Sequence, residues 1–200
     1  MAKKDMPLLR ISKGKNLHRT SVGVCETIID CSGAKSVRRD GDIDAGFKRK
    51  TAALMRELND HPTDRVLIFC NTIESCRQVE NALRRHDRRG LQYELSTLHG
   101  AIAPEIRKKT LARFTEAPNG VPHILVCTDR ASRGMDFPDL RHVVLFDFPR
   151  DGIEYVRRVG RATRGTGVPG RVTSLVYGRQ LSYARDLMKT NRRGGAVNLE

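Results

Sequence analysis

Four arginines crowd one short stretch, Glu154-Tyr155-Val156-Arg157-Arg158-Val159-Gly160-Arg161-Ala162-Thr163-Arg164-Gly165. On a helix, residues three and four apart share a face, so the spacing predicts that Arg157, Arg161 and Arg164 project together with Arg158 beside them. Like charges so placed repel and weaken an isolated helix. An anion offsets that cost, and a phosphate whose charge grows in a transition state is the chemistry that gains most from it. Charge alone leaves a solvated basic face equally open.

A second stretch, Ile124-Leu125-Val126-Cys127-Thr128-Asp129-Arg130-Ala131-Ser132-Arg133-Gly134-Met135-Asp136, opens from an apolar run into hydroxyls, two carboxylates, arginines and a glycine. Hydroxyls and a glycine amide suit phosphate oxygens, and a carboxylate suits paired ribose hydroxyls. The same stretch holds Cys127 and Arg133 at C-x₅-R spacing, which in a cysteine phosphatase sets a thiolate under a phosphate-binding arginine. Such loops carry an internal glycine and a hydroxyl residue after the arginine, whereas here Gly134 follows Arg133. Cys127 then reads instead as a buried strand thiol.

These residues need a scaffold. Apolar, β-branched runs recur as VGVCETIID, VLIFC, YELSTL, HILVC, HVVLFD and RVTSLVY. Amphipathic stretches separate them at 46–59, 73–88, 104–115, 151–162 and 179–190. The alternation predicts an α/β fold, a mainly parallel sheet with helices on both faces. In such sheets the working residues gather beyond the carboxyl ends of the strands. The runs end in Asn71-Thr72, His99-Gly100, Thr128-Asp129 and Asp147, which predicts one shared polar rim.

Composition narrows the partner. The 200 residues suffice for one domain, and 38% hydrophobic content excludes a wholly disordered chain. Lys and Arg number 37 against 23 Asp and Glu, a net charge of +14 that points to a polyanion, with nucleic acid first. Arginines supply 27 of the basic residues, and their planar forks pair with phosphate bidentately. Aromatics are only 5% with no Trp, which favours a backbone reader over one built on stacked bases. Five cysteines (Cys25, Cys31, Cys70, Cys76, Cys127) form no CxxC pair, so they are expected to be buried free thiols in a reducing, intracellular compartment, with no metal site. No apolar stretch reaches membrane-spanning length, so no membrane partner is expected. Residues 1–20 read as a basic linker or tail, 21–190 as the domain and 191–200 as a closing tail.

Taken together, the motifs resemble those of DEAD-box RNA helicases, in their C-terminal RecA-like domain. ILVCTDRASRGMDF resembles the family's motif V and YVRRVGRATRG its motif VI. VLIFCNT resembles motif IV, and LHGAIAPEIRKKTLARF the segment that follows it; all four stand in the family's order over about residues 20–180. The chain departs from the pattern at Arg157, where motif VI carries His, at Thr163, where it carries Gly, and at Pro104, where Gln is usual. The resemblance implies a RecA-like, P-loop NTPase-like fold. It implies that Arg161 and Arg164 are arginine fingers, and that Asp136, Arg158 and Gly134 bind ATP. Arg133 and Arg157 would join the two domains, and Asn71, Thr72, Gly100, Arg107 and Thr128 would contact the RNA backbone.

The sequence has no GxxxxGK[ST] P-loop and no DEAD tetrapeptide. Those elements cradle the phosphates and position Mg²⁺. The resemblance therefore implies half of a catalytic site, with ATP and Mg²⁺ held mainly by an N-terminal RecA-like domain of the same parent protein. This chain alone is expected to be a monomer inactive as an ATPase, working with RNA and that partner domain. A standalone RNA-binding module without an ATPase role is the alternative.

Overall fold

The computed structural model describes residues 24–33, 43–116, 120–132, 135, 137, 140–163 and 170–192. The expected tail at 1–20 lies outside these residues. Six strands form one sheet among them: β1 (Val24–Asp30), β2 (Arg65–Cys70), β3 (Glu94–Leu98), β4 (His123–Thr128), β5 (His142–Leu145) and β6 (Gly170–Val176). Their order is β1-β6-β5-β2-β4-β3, and every pairing is parallel.

A parallel sheet covered on both faces needs apolar side chains pointing both ways, which explains the unbroken apolar runs of β2, β4 and β5. Val66, Ile68 and Cys70 of β2 face α1 (Ile43–Asp60) and α2 (Ile73–His86), where Leu54, Cys76, Val79 and Leu83 close a core. Leu67 and Phe69 face the other way, toward α3 (Pro104–Thr115), the single turn α4 (Asp129–Ser132), α5 (Gly152–Val159) and α6 (Gln180–Arg192). There Phe114, Tyr155, Val159 and Leu187 form the second core. Pro104 falls in the first turn of α3, where its missing N–H has no helical acceptor to lose.

Two expectations change. The helix expected over 151–162 is α-helical only to Val159, and Gly160–Thr163 tightens into a 3₁₀ turn. Gly160 disfavours a continued α-helix, and the turn presses on β6 so closely that a Cβ at Gly170 would meet the Ala162 carbonyl oxygen at 1.9 Å. Cys25 is exposed rather than buried, because its strand β1 is the sheet edge; the other four thiols are buried and unbridged.

β2 and β5 are neighbours, but the chain leaves β2 for β3 at one edge and leaves β5 for β6 on the other side. This is the topological switch point, where open α/β sheets place their ligand crevice.

Candidate functional site

Register sets the rim residues side by side. Cys70 pairs with Thr128, Leu98 with Cys127, and Phe69 with Leu145. With strands about 4.8 Å apart, Asn71, Thr128-Asp129, His99-Gly100 and Asp147 therefore line one edge. A cleft of about 200 Å³ lies near the amino ends of β2 and β4, lined by Met55, Leu58, Val66, Tyr93 and Ile124 among others.

Arg158 holds the rim together. It is 1% exposed, and its guanidinium meets three elements at once. Nε donates to Asp129 Oδ1 at 2.9 Å, and a terminal nitrogen donates to Asp129 Oδ2 at 2.5 Å. The Asp147 carbonyl and Asn71 Oδ1 each accept at 2.6 Å, and the Phe69 ring lies 5.2 Å below. A buried guanidinium is tolerable only when so paired. Arg158, expected on the nucleotide, thus has its donors engaged inside the domain.

Asp147 extends the network. Its Oδ2 accepts from the Asn71 backbone N–H at 3.0 Å and from the Ser75 hydroxyl at 2.6 Å. Its Oδ1 lies 3.6 Å from Lys50 Nζ, and that ammonium donates to the Phe146 carbonyl at 2.8 Å between the rings of Phe146 and Tyr177. Burial pulls the Lys50 pKa down, and Asp147 opposes the pull. The sequence pattern singles out neither Lys50 nor Ser75. The available signal is that Lys50 sits on the stripe of α1 that carries Phe47 and Leu54, a position that buries whatever occupies it.

The other arginines of the cluster diverge. Arg157 is exposed, on a different side of α5 from Arg158. Arg161 is half-buried in the 3₁₀ turn, donating to the carbonyls of Met135 and, at 3.4 Å, Ser132, with its guanidinium 5.8 Å from the Phe137 ring. Arg157 and Arg161 therefore do not share the helical face the spacing predicts, because the α-helical register ends between them. Arg164, Arg133, Gly134 and Asp136 lie outside the described residues.

The residues expected on RNA all stand at or next to the rim. Thr72 caps α2, its hydroxyl accepting from the Ser75 N–H at 3.0 Å. Thr128 is buried at the end of β4. Gly100 is exposed, and a Cβ there would meet nothing within 4 Å. Arg107 donates to the Ile102 carbonyl at 3.4 Å while its Nε is buried with no partner. Beside them His99 is buried; desolvation first, then the nearby Arg77 charge, lower its pKa.

The phosphatase reading fails on Cys127. Its side chain is fully buried in the core beneath β4, and burial pushes the thiol pKa well up, so no thiolate is on offer at neutral pH.

A family model described as the helicase conserved C-terminal domain matches residues 49–166. The chain is 42% identical over 188 residues to a protein of Oryza sativa subsp. japonica named DEAD-box ATP-dependent RNA helicase 50, covering 94% of this chain and 29% of that one. A protein of the same name from Arabidopsis thaliana is 40% identical over 193 residues, 96% of this chain and 24% of that one. The chain thus spans less than a third of the length of these relatives. Among solved structures, the E. coli DEAD-box protein SrmB, bound to regulator of ribonuclease activity A, superposes with a TM-score of 0.63 at 28% identity over 86% of both chains.

Proposed function

Because the chain belongs to the helicase conserved C-terminal domain family, in its DEAD-box branch, we propose that it is the C-terminal half of an ATP-dependent RNA helicase. It supplies arginine fingers and RNA-backbone contacts for local unwinding, and an N-terminal RecA-like domain supplies the P-loop. The observation that carries this reading is the 3₁₀ turn after α5, packed on β6, in which Arg161 donates to the carbonyls of Ser132 and Met135 just beyond β4.

The donor set fits one side of a triphosphate, since guanidinium forks match phosphate oxygens. ATP and Mg²⁺ are assigned mainly to the partner domain, because the sequence has no P-loop of its own. In the lone domain Arg161 donates to the carbonyls of Met135 and Ser132. A phosphate is a stronger acceptor for a guanidinium than a carbonyl is, because charge-assisted hydrogen bonds are roughly twice as strong as neutral ones. Domain closure would therefore draw Arg161 and Arg164 onto the γ-phosphate, where they act on charge that develops in the transition state. Asp136 and Gly134 are assigned to the nucleotide, Arg133 and Arg157 to the domain interface. Asn71, Thr72, Gly100, Arg107 and Thr128 are assigned to phosphates and 2′-hydroxyls, contacts that carry no base identity. Arg158 acts as a positioning residue. The unbridged thiols suit a reducing compartment.

RNA binding with and without a non-hydrolysable ATP analogue tests this, in the chain joined to a P-loop-bearing N-terminal domain. Tightening by the analogue is expected. Salt-sensitive binding indifferent to nucleotide would instead identify a standalone RNA-binding module.

A further inference from the structure

Helix α2 begins at the rim with Thr72 and ends near the amino ends of the strands, about 20 Å away at Arg85 for a rise of 1.5 Å per residue. Its outward positions carry Arg77, Asn81, Arg84 and Arg85, and Arg88 follows in the turn after the helix. Offsets of four, seven, eight and eleven residues from Arg77 place them along one stripe. All five side chains are exposed, and the last four line a shallow, open concavity.

The acids nearby are engaged elsewhere or singly. Glu74 accepts from Gln78 at 3.1 Å, and Glu80 accepts from Arg84 at 2.9 Å. Asp87 turns its carboxylate back to the N–H groups of Leu91, Gln92 and Tyr93. No ion pair joins Arg77, Arg85 or Arg88 to a carboxylate among the described residues. The helix macrodipole favours cations in the last turn, which accounts for Arg84 and Arg85. It accounts neither for Arg77 in the second turn nor for Arg88 beyond the end. Arg77 also stands close enough to His99 to disfavour its protonation, so the stripe starts beside the rim.

We propose that the arginine stripe of α2, from Arg77 to Arg88, is a track for single-stranded RNA that continues the rim contacts along the outer face of this helix toward the amino ends of the strands. The occupant is a phosphate backbone because the stripe offers forked donors at intervals from Arg77 to Arg88, while Leu83 and Val79 face the core and the exposed apolar side chains, Ile73 and Leu91, stand before and after it. The track rests on the rim reading for where the strand comes from, not for its own charge.

The test measures binding of fluorescent oligouridylates of about five and about fifteen nucleotides to the 200-residue chain, across a salt series. Replacing Arg84, Arg85 and Arg88 together with Gln should lower the salt slope for the long strand by about 2, at about 0.7 per single-strand phosphate contact. At about 0.1 M salt that corresponds to roughly a hundredfold loss of affinity. The short strand, satisfied by the rim, should bind the variant within about twofold of the parent. An unchanged long strand, or an equal loss for both lengths, would overturn the track. So would poly-glutamate of matched charge binding as tightly as the long RNA with the same loss in the variant, which would make the partner an acidic polypeptide. Arg107→Ala should weaken both lengths together. If it weakens neither while the triple variant still loses the long strand, the rim reading fails and the track stands.

Discussion

Replacing Arg158 with Ala removes a side chain that is 1% exposed and leaves three groups without their donor. Asp129 loses its fork, Asn71 Oδ1 its only side-chain donor among the described contacts, and the Asp147 carbonyl its 2.6 Å bond. Breaking a buried ion pair from one side costs about 3–5 kcal/mol, because the remaining charge stays desolvated. The cavity under the Phe69 ring adds to this. Against a typical domain stability of about 5–15 kcal/mol, Arg158→Ala should shift the urea midpoint strongly downward. Arg158→Lys should recover part of the loss, since one ammonium cannot span the same acceptors. A double-mutant cycle with Asp129→Asn should show a coupling of about 1–3 kcal/mol. Urea unfolding of the five proteins, followed by circular dichroism, reads all of this. If Arg158→Ala moved stability by less than about 0.5 kcal/mol, as an exposed residue would, the network would not hold the rim.

Two further outcomes concern the frame. Glu57 is buried beneath α1, where burial alone would raise its pKa, but hydrogen bonds with His142 and Thr173 bring it down to about 2. A carboxyl depressed on folding contributes stability above its ordinary pKa of 4.5 and loses it as pH falls toward about 2. Glu57→Gln should therefore flatten the fall in urea midpoint between pH 7 and acid. The shift is worth at most about 3 kcal/mol and less after solvent screening; an unaltered acid limb would contradict it. Gly170→Ala sets a Cβ against the Ala162 carbonyl oxygen, which is backbone and not the end of a flexible side chain. It should cost about 1–3 kcal/mol and displace the Arg161 turn; an equally stable variant would show that the turn is loosely held.

The strands are legible in the sequence because burial on both faces leaves uninterrupted apolar runs, as in VLIFC and HILVC. The shared rim is legible too, since Asn71, Gly100, Thr128 and Asp147 each end a run and the parallel register aligns them. The fate of each arginine is not. Arg157 and Arg158 are adjacent and identical in type, yet one is exposed and the other buried, a difference set by which face of α5 meets Phe69 and Asp129. Arg161 leaves the helical register because of a tertiary contact, Ala162 on Gly170, eight residues away in the chain. Lys50 reads as an ordinary helix cation until β5 and β6 bring Phe146, Asp147 and Tyr177 around it.

In the proposed function Arg161 and Arg164 act on the phosphoryl group being transferred. The most direct measurement of that claim is RNA-stimulated kcat for ATP hydrolysis, in the chain joined to a P-loop-bearing N-terminal domain. Arg179, exposed and outside the motif, is the control for loss of charge. Arg161→Ala and Arg164→Ala should each lower kcat by roughly 10³ to 10⁵, the range of an arginine finger, while Arg179→Ala leaves it near the parent value. An equal and small decrease in all three variants would contradict the claim and leave the cluster as a basic surface.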